Sequence, residues 1–249
     1  MTSNIHDDQP PKKTRGPGKK QNLGKAPRKI CPISNPDKKL HEVYKKGDNP
    51  LRFPKPFRCA ILGGVNSGKS LMATHIIFAH QAKKPFFDEI HIVHGCASTT
   101  EYDLLEPTSI RTEIPSYDQF DPDKRTLLVL DDVDFTNMRP DVLKRISQLW
   151  RFGSTHCNIS IILLHQSWFR IPKIVKDCSS VFVIFRPHDI DELACIGRRV
   201  GLGSKKIVEV FDQFLPKWRD SLLINLCPEA PHKYSKNLFE PIDIIDGNE

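Results

Sequence analysis

The sequence predicts an α/β fold, a mostly parallel β-sheet with helices packed on both faces. Three observations carry that expectation. Short continuous apolar runs, the mark of strands buried on both sides, recur along the chain. Segments with apolar residues at helical spacing separate them, and such alternation builds parallel sheets. Two of the runs also end in chemistry: "CAILGGVNSGKS" passes into a glycine-rich loop and "TLLVLDD" into paired acids. Ligands of open α/β sheets bind at the carboxyl ends of the strands, where both of these features fall.

The chain has 249 residues, 39% of them hydrophobic. That suits one sizeable domain with a tail. Residues 1–50 hold 12 Lys and Arg against 5 Asp and Glu, while the rest of the chain holds 25 of each sign, so the whole net charge of +7 sits in the first fifth. This stretch is rich in Pro, Gly and Lys with almost no apolar periodicity, and is expected to be a disordered basic arm. Its cluster Lys12, Lys13, Arg15, Lys19 and Lys20 is suited to neutralising phosphates or to nuclear import, the plainer reading being a solubilising tail. A folded domain is expected over residues 51–227 and an irregular tail over 228–249. No run approaches the roughly 20 apolar residues of a membrane span, and the start "MTSNIHDDQPPKK" has no apolar signal stretch. A cytosolic or nuclear compartment is therefore expected. Seven cysteines without a C-x-x-C pair point to reduced side chains packed as small hydrophobes.

After the proline-rich "NPLRFPKPF", Phe57 to Leu62 reads as a buried strand bounded by Gly63. A helix follows over "KSLMATHIIFAHQA", with Leu71, Met72, Ile76, Phe78 and Ala79 as its apolar residues. A second strand is expected over Glu89 to Val93, and then a polar segment to about Lys124 in which no element is legible. Leu127 to Leu130 is a buried strand ending in acids. Pro140 to Phe152 places Val142, Leu143, Ile146, Leu149 and Trp150 at helical spacing, with Asp141 near the start. "NISIILLHQS" and "SSVFVIFRP" are the fourth and fifth strands, with a short helix at "IPKIVKD" between them. Ser204 is expected to cap a helix striped by Ile207, Val208, Phe211, Phe214 and Leu215, and "SLLINL" to form the last strand.

Gly63 to Ser70 matches G-x-x-x-x-G-K-[ST] in full, between a strand and a helix, the context a phosphate loop requires. The candidate nucleotide contacts are Gly63, Gly64, Val65, Asn66, Ser67, Gly68, Lys69, Ser70 and Leu71. Glycines let backbone N–H groups turn toward phosphates, the following helix adds its positive end, Lys69 reaches the β and γ phosphates and Ser70 ligates Mg²⁺. Asp131 is the second candidate metal residue, and Asp132 the one that polarises an attacking water. Gln166, at the end of the fourth strand, is placed to sense the γ phosphate or orient that water, whereas His165 points the other way and packs. Hydrolysis of this kind uses an added cation, often from a neighbouring subunit. Arg145, Arg151 and Arg170 are the candidates, Arg151 preferred for its place between helix and strand. His91, His94 and Cys96 are ligand types close in sequence, but a strand puts His91 and His94 on opposite faces, and zinc is not expected.

Taken together, "LGGVNSGKS", "LLVLDDVD" and "STHCNISIILLHQSWFRIPKIVKDCSSVFVIF" resemble the viral genome-packaging ATPases of the FtsK/HerA superfamily, and among them the poxvirus-type and virophage-type enzymes. The resemblance covers Phe57 to Pro187, and its last motif is the discriminating one. It implies a RecA-like P-loop NTPase with ATP and Mg²⁺ as cofactors. The implied assembly is a homo-oligomeric ring, a hexamer, that moves double-stranded DNA into a preformed capsid by contact with capsid portal or vertex proteins. The implied location is the host nucleus, a cytoplasmic virus factory or the virion. Lys69, Ser70, Asp131, Asp132 and Gln166 all fall on the family's motifs. One departure stands out: the family commonly has an arginine before the histidine matching His156, and this chain has Thr155. The alternatives are a replication helicase or related ATPase, and a nucleotide-gated DNA-binding scaffold.

Overall fold

A computed structural model describes residues 51–244 apart from residues 52, 82–85 and 229. The basic arm expected over residues 1–50 lies outside the described residues, as do residues 245–249.

The strands are β1 (Arg58–Leu62), β2 (Glu89–His94), β3 (Ser109–Arg111), β4 (Thr126–Asp131), β5 (Ile159–His165), β6 (Val181–Phe185), β7 (Ser221–Asn225), β8 (Tyr234–Lys236) and β9 (Glu240–Pro241). They form one sheet in the order β3-β2-β4-β5-β1-β6-β7-β8-β9. The first six pair in parallel, and β7, β8 and β9 join antiparallel. The helices are α1 (Lys69–Gln81), α2 (Pro140–Gln148), α3 (Lys173–Cys178), α4 (Ile190–Arg199) and α5 (Ser204–Phe214). Among the described residues no helix is long and apolar enough to cross a membrane.

Period-two alternation divides the strand residues between two cores. Ala60, Leu62, Leu128, Leu130, Ile161 and Leu163 face the core that also holds Ile146, Leu149, Trp150, Leu193, Ile196 and Phe211 from the helical side. Cys59, Ile61, Leu127, Val129, Ile162 and Leu164 face the other, with Met72, Ala73, Ile76 and Ile77 of α1. Both faces being covered is why the strands read as unbroken apolar runs. Helix α1 is buried nearly all round, from Met72 to His80.

Several expectations change. The helix expected over Pro140 to Phe152 ends at Gln148 and widens into a π-helical turn, Leu149–Gly153, before a last turn at Ser154–His156. The wide turn lets Leu149, Trp150 and Gly153 all face inward, and a side chain on Gly153 would meet the Tyr117 Cβ at 2.7 Å. Ser204 is the first residue of α5 and makes no cap; Gly203 stands at that position with φ of 77°, while the Ser204 hydroxyl accepts from the Arg198 guanidinium at 2.7 Å. The tail is not irregular throughout, because β8 and β9 extend the sheet as a hairpin turned at Asn237 and Leu238, with φ of 48° and 75°. Burial of Tyr234, Leu238 and Ile242 holds that hairpin on the sheet. "SLLINL" is therefore not the last strand.

Candidate nucleotide site

The phosphate loop leaves β1 at the carboxyl edge of the sheet, where the Gly63 N–H donates to the His165 carbonyl at 3.2 Å. Gly63 has no room for a side chain: a Cβ there would lie 2.6 Å from Ser67 Oγ and 2.8 Å from Phe185 Cβ. Gly68 turns the chain into α1 with φ of 104°, a conformation costly for any other residue. Asn66 also sits in the left-handed region, with φ of 60°, where its short polar side chain is tolerated. Lys69 folds back so that its Nζ donates to the Gly64 carbonyl at 2.9 Å. Burial lowers the Lys69 pKa, opposed by the charges of Asp132, Asp131 and Glu101.

β4 brings its acids to the same edge. Asp131 is only 3% exposed. Burial raises its pKa, and the hydrogen bond that the Tyr102 hydroxyl donates to Asp131 Oδ2 at 2.5 Å opposes the rise. Ser70 Oγ donates to the same oxygen at 3.4 Å. The next residue, Asp132, is exposed and left-handed, with φ of 53°, which turns the chain abruptly off the strand end.

A cavity of about 670 Å³ joins these parts. Of the residues expected to form the site, Val65, Asn66, Gly68, Lys69, Ser70, Leu71, Asp131, Asp132 and Gln166 line it. Gly63, Gly64 and Ser67 stand behind the lining and shape the loop, Ser67 N–H donating to the Gly64 carbonyl at 3.3 Å. His165 is buried with its ring against Phe135, the packing expected of it. Its Nδ1 lies 2.9 Å from the Ser167 carbonyl.

Arg151 is not brought to this cavity. It lies exposed in the π-helical turn ahead of β5, next to Trp150, whose carbonyl accepts from Arg58 at the start of β1. That is the amino edge of the sheet. Arg145 is engaged by the Ile114 carbonyl at 3.4 Å and by Asp141 at 3.8 Å.

Three residues that line the cavity carried no expectation: Thr74, Glu101 and Arg219. Thr74 follows Ser70 by one helical turn and donates to its carbonyl at 3.0 Å. Glu101 comes from the segment between β2 and β3, as does Tyr102. Arg219 was legible in principle. It precedes β7, and because β7 runs antiparallel to β6, with Ser221 paired to Phe185, the start of β7 lies at the nucleotide edge.

The site fits Mg²⁺. Ser70 and Asp131 offer hard oxygen donors beside one another, and a cation would relieve the cost of keeping the Asp131 charge buried.

The same fold is found in solved structures. The genome packaging NTPase B204 from Sulfolobus turreted icosahedral virus 2, in complex with AMP, matches 77% of this chain and 100% of its own, at 14% identity and a TM-score of 0.52. B204, the DNA-packaging ATPase from Sulfolobus turreted icosahedral virus, matches 76% of this chain and 100% of its own, at 17% identity and a TM-score of 0.50. EssC (ATPases 2 and 3) from Geobacillus thermodenitrificans matches over 79% of this chain and 41% of its own, at 14% identity and a TM-score of 0.50. No curated protein matches the chain. The family model of the poxvirus A32 protein matches residues 48–224, a span that begins just before β1 and contains the phosphate loop, the Asp131–Asp132 strand end and Gln166, so the chain belongs to the poxvirus A32 protein family.

Proposed function

We propose that the protein is an ATP-hydrolysing motor that drives double-stranded viral DNA into a preformed capsid. The observation that carries this is the meeting of Lys69, Ser70, Asp131, Asp132 and Gln166 around one cavity, in a chain of the A32 family. The shared fold of B204, itself a genome packaging NTPase, supports the same reading.

The loop amides and Lys69 hold the phosphates, Lys69 leaving the Gly64 carbonyl to do so. Ser70 and Asp131 would hold Mg²⁺, which would supply charge stabilisation at the phosphate oxygens. Asp132 accepts a proton from the attacking water, and Gln166 orients that water against the γ phosphate. Arg151 serves the site of a neighbouring subunit, as its exposure at the opposite edge of the sheet allows. The subunits assemble as a hexameric ring docked on capsid portal or vertex proteins, in the nucleus or a cytoplasmic virus factory. The basic arm holds the DNA backbone without reading sequence.

The test is ATP hydrolysis with and without duplex DNA. Wild type is expected to turn over ATP and to be stimulated by DNA. Lys69→Ala abolishes turnover, and Arg151→Ala lowers it by about 10³-fold if the arginine acts on a neighbour's transition state. A folded, ring-shaped protein whose hydrolysis ignores DNA would refute the motor.

A further inference from the structure

The segment after β2 adds a group of ligands that the phosphate-loop motifs do not contain. His94, the last residue of β2, is the register partner of Asp131 on β4, so parallel pairing sets the two side by side. Glu101 reaches the same point from the following loop. One ligand atom from each of the three lies within 4.8 Å of the other two. Three donors spread around a shared cation at about 2.0–2.3 Å lie about 3.5–4.0 Å from one another, so closing the set from that limit takes about half an ångström for each donor.

The imidazole is fixed by the backbone of Cys96. The His94 Nδ1 lies 3.0 Å from the Cys96 carbonyl. The Cys96 N–H also donates to this nitrogen at 3.0 Å, so Nε2 is open to an ion in the tautomer whose Nδ1 proton turns to the carbonyl in place of that contact. A backbone carbonyl fixing the far nitrogen is the usual outer support of a metal-binding histidine. Asp131 is supported in its turn by Tyr102, which is wholly buried.

We propose that His94, Glu101 and Asp131 form a mixed imidazole and carboxylate site for a divalent transition ion, Mn²⁺ by preference, at the mouth of the nucleotide cavity. The two carboxylates suit Mn²⁺ as they suit Mg²⁺, and the imidazole nitrogen tips the set away from Mg²⁺, which takes oxygen ligands and holds its waters tightly. The consequence for hydrolysis, a preference for Mn²⁺ over Mg²⁺ at low ion concentration, rests on the nucleotide reading above. Binding of the ion by itself does not.

The test uses the full chain without nucleotide, titrated with Mn²⁺ and followed by the electron paramagnetic resonance of the free ion. Wild type is expected to bind one Mn²⁺ and to keep it against a several-fold excess of Mg²⁺. His94→Asn and Glu101→Gln should each weaken binding by at least about tenfold, in proteins whose thermal unfolding stays cooperative. The ratio of Mn²⁺-supported to Mg²⁺-supported hydrolysis should fall in parallel. No binding by wild type, binding by both variants equal to wild type, or displacement by equimolar Mg²⁺ would each overturn the site. Binding that depends on both side chains in a protein that hydrolyses ATP with neither ion would keep the site and refute the nucleotide reading.

Discussion

At the residue scale, the most informative contact in the nucleotide site is one the motifs do not contain. Tyr102 is wholly buried in the core beneath α1, and its hydroxyl donates to Asp131 Oδ2. Burial raises the Tyr102 pKa, and the neighbouring Asp131 charge raises it further, so the phenol stays a proton donor at every physiological pH. A hydrogen bond to a charged acceptor is worth about 1.5–3 kcal/mol, and Tyr102→Phe removes it while keeping the ring in place. The Mg²⁺ concentration for half-maximal hydrolysis is therefore expected to rise by about tenfold or more, with binding of a non-hydrolysable ATP analogue little changed. An unaltered Mg²⁺ dependence would reduce Tyr102 to a packing residue. The phosphate loop and Asp131 were legible because their chemistry requires fixed residue types at fixed spacing. Tyr102, Glu101 and His94 were not, because their nearness to Asp131 comes from strand pairing and a loop's path, which leave no local pattern.

At the element scale, strand β4 and helix α1 were legible for the same reason: burial on all sides leaves an unbroken apolar run. Strand β3 is only three residues long and half-buried at the sheet edge, so nothing in "SIR" distinguishes it from the polar segment around it. Helix α4 carries signals that were open to reading. Asp189 caps it by accepting from the Asp191 N–H at 2.7 Å, and Leu193 and Ile196 face the core. Helix α1 also carries a liability. It buries His75 and His80, and burial pushes both down to about 4 from the ordinary 6.5. His80 lies among the rings of Phe53, Phe57 and Phe87, its Nδ1 2.8 Å from the Ile76 carbonyl. Between pH 6.5 and about 4 the unfolded chain binds protons at these positions that the folded chain does not. Their contribution to stability is therefore fully present above pH 6.5 and is lost as pH falls toward 4, by up to roughly 3 kcal/mol for each histidine. Chemical denaturation at a series of pH values should show this decline. His80→Phe should flatten about half of it, and a decline unchanged in that variant would assign the effect to other groups.

At the scale of the whole molecule, charge and site are separated along the chain. Every residue lining the nucleotide cavity lies between Val65 and Arg219, in the part whose charges balance, while the excess of +7 belongs to residues 1–50. A motor needs a grip on DNA weak enough to release at each step, and non-specific phosphate pairing gives such a grip with strong salt dependence. In the full chain, replacing Lys12, Lys13, Arg15, Lys19 and Lys20 with glutamine removes five of the cations that would make it. If the arm holds DNA, the slope of log affinity against log salt should become shallower by about 0.9 for each phosphate no longer neutralised, up to about 4.5 for all five. ATP hydrolysis without DNA should stay within about twofold of wild type, because nothing in the cavity changes. Loss of DNA stimulation together with a shallower slope would place the grip in the arm. A slope that does not move would place it on the folded domain, and the arm would then be a solubilising extension.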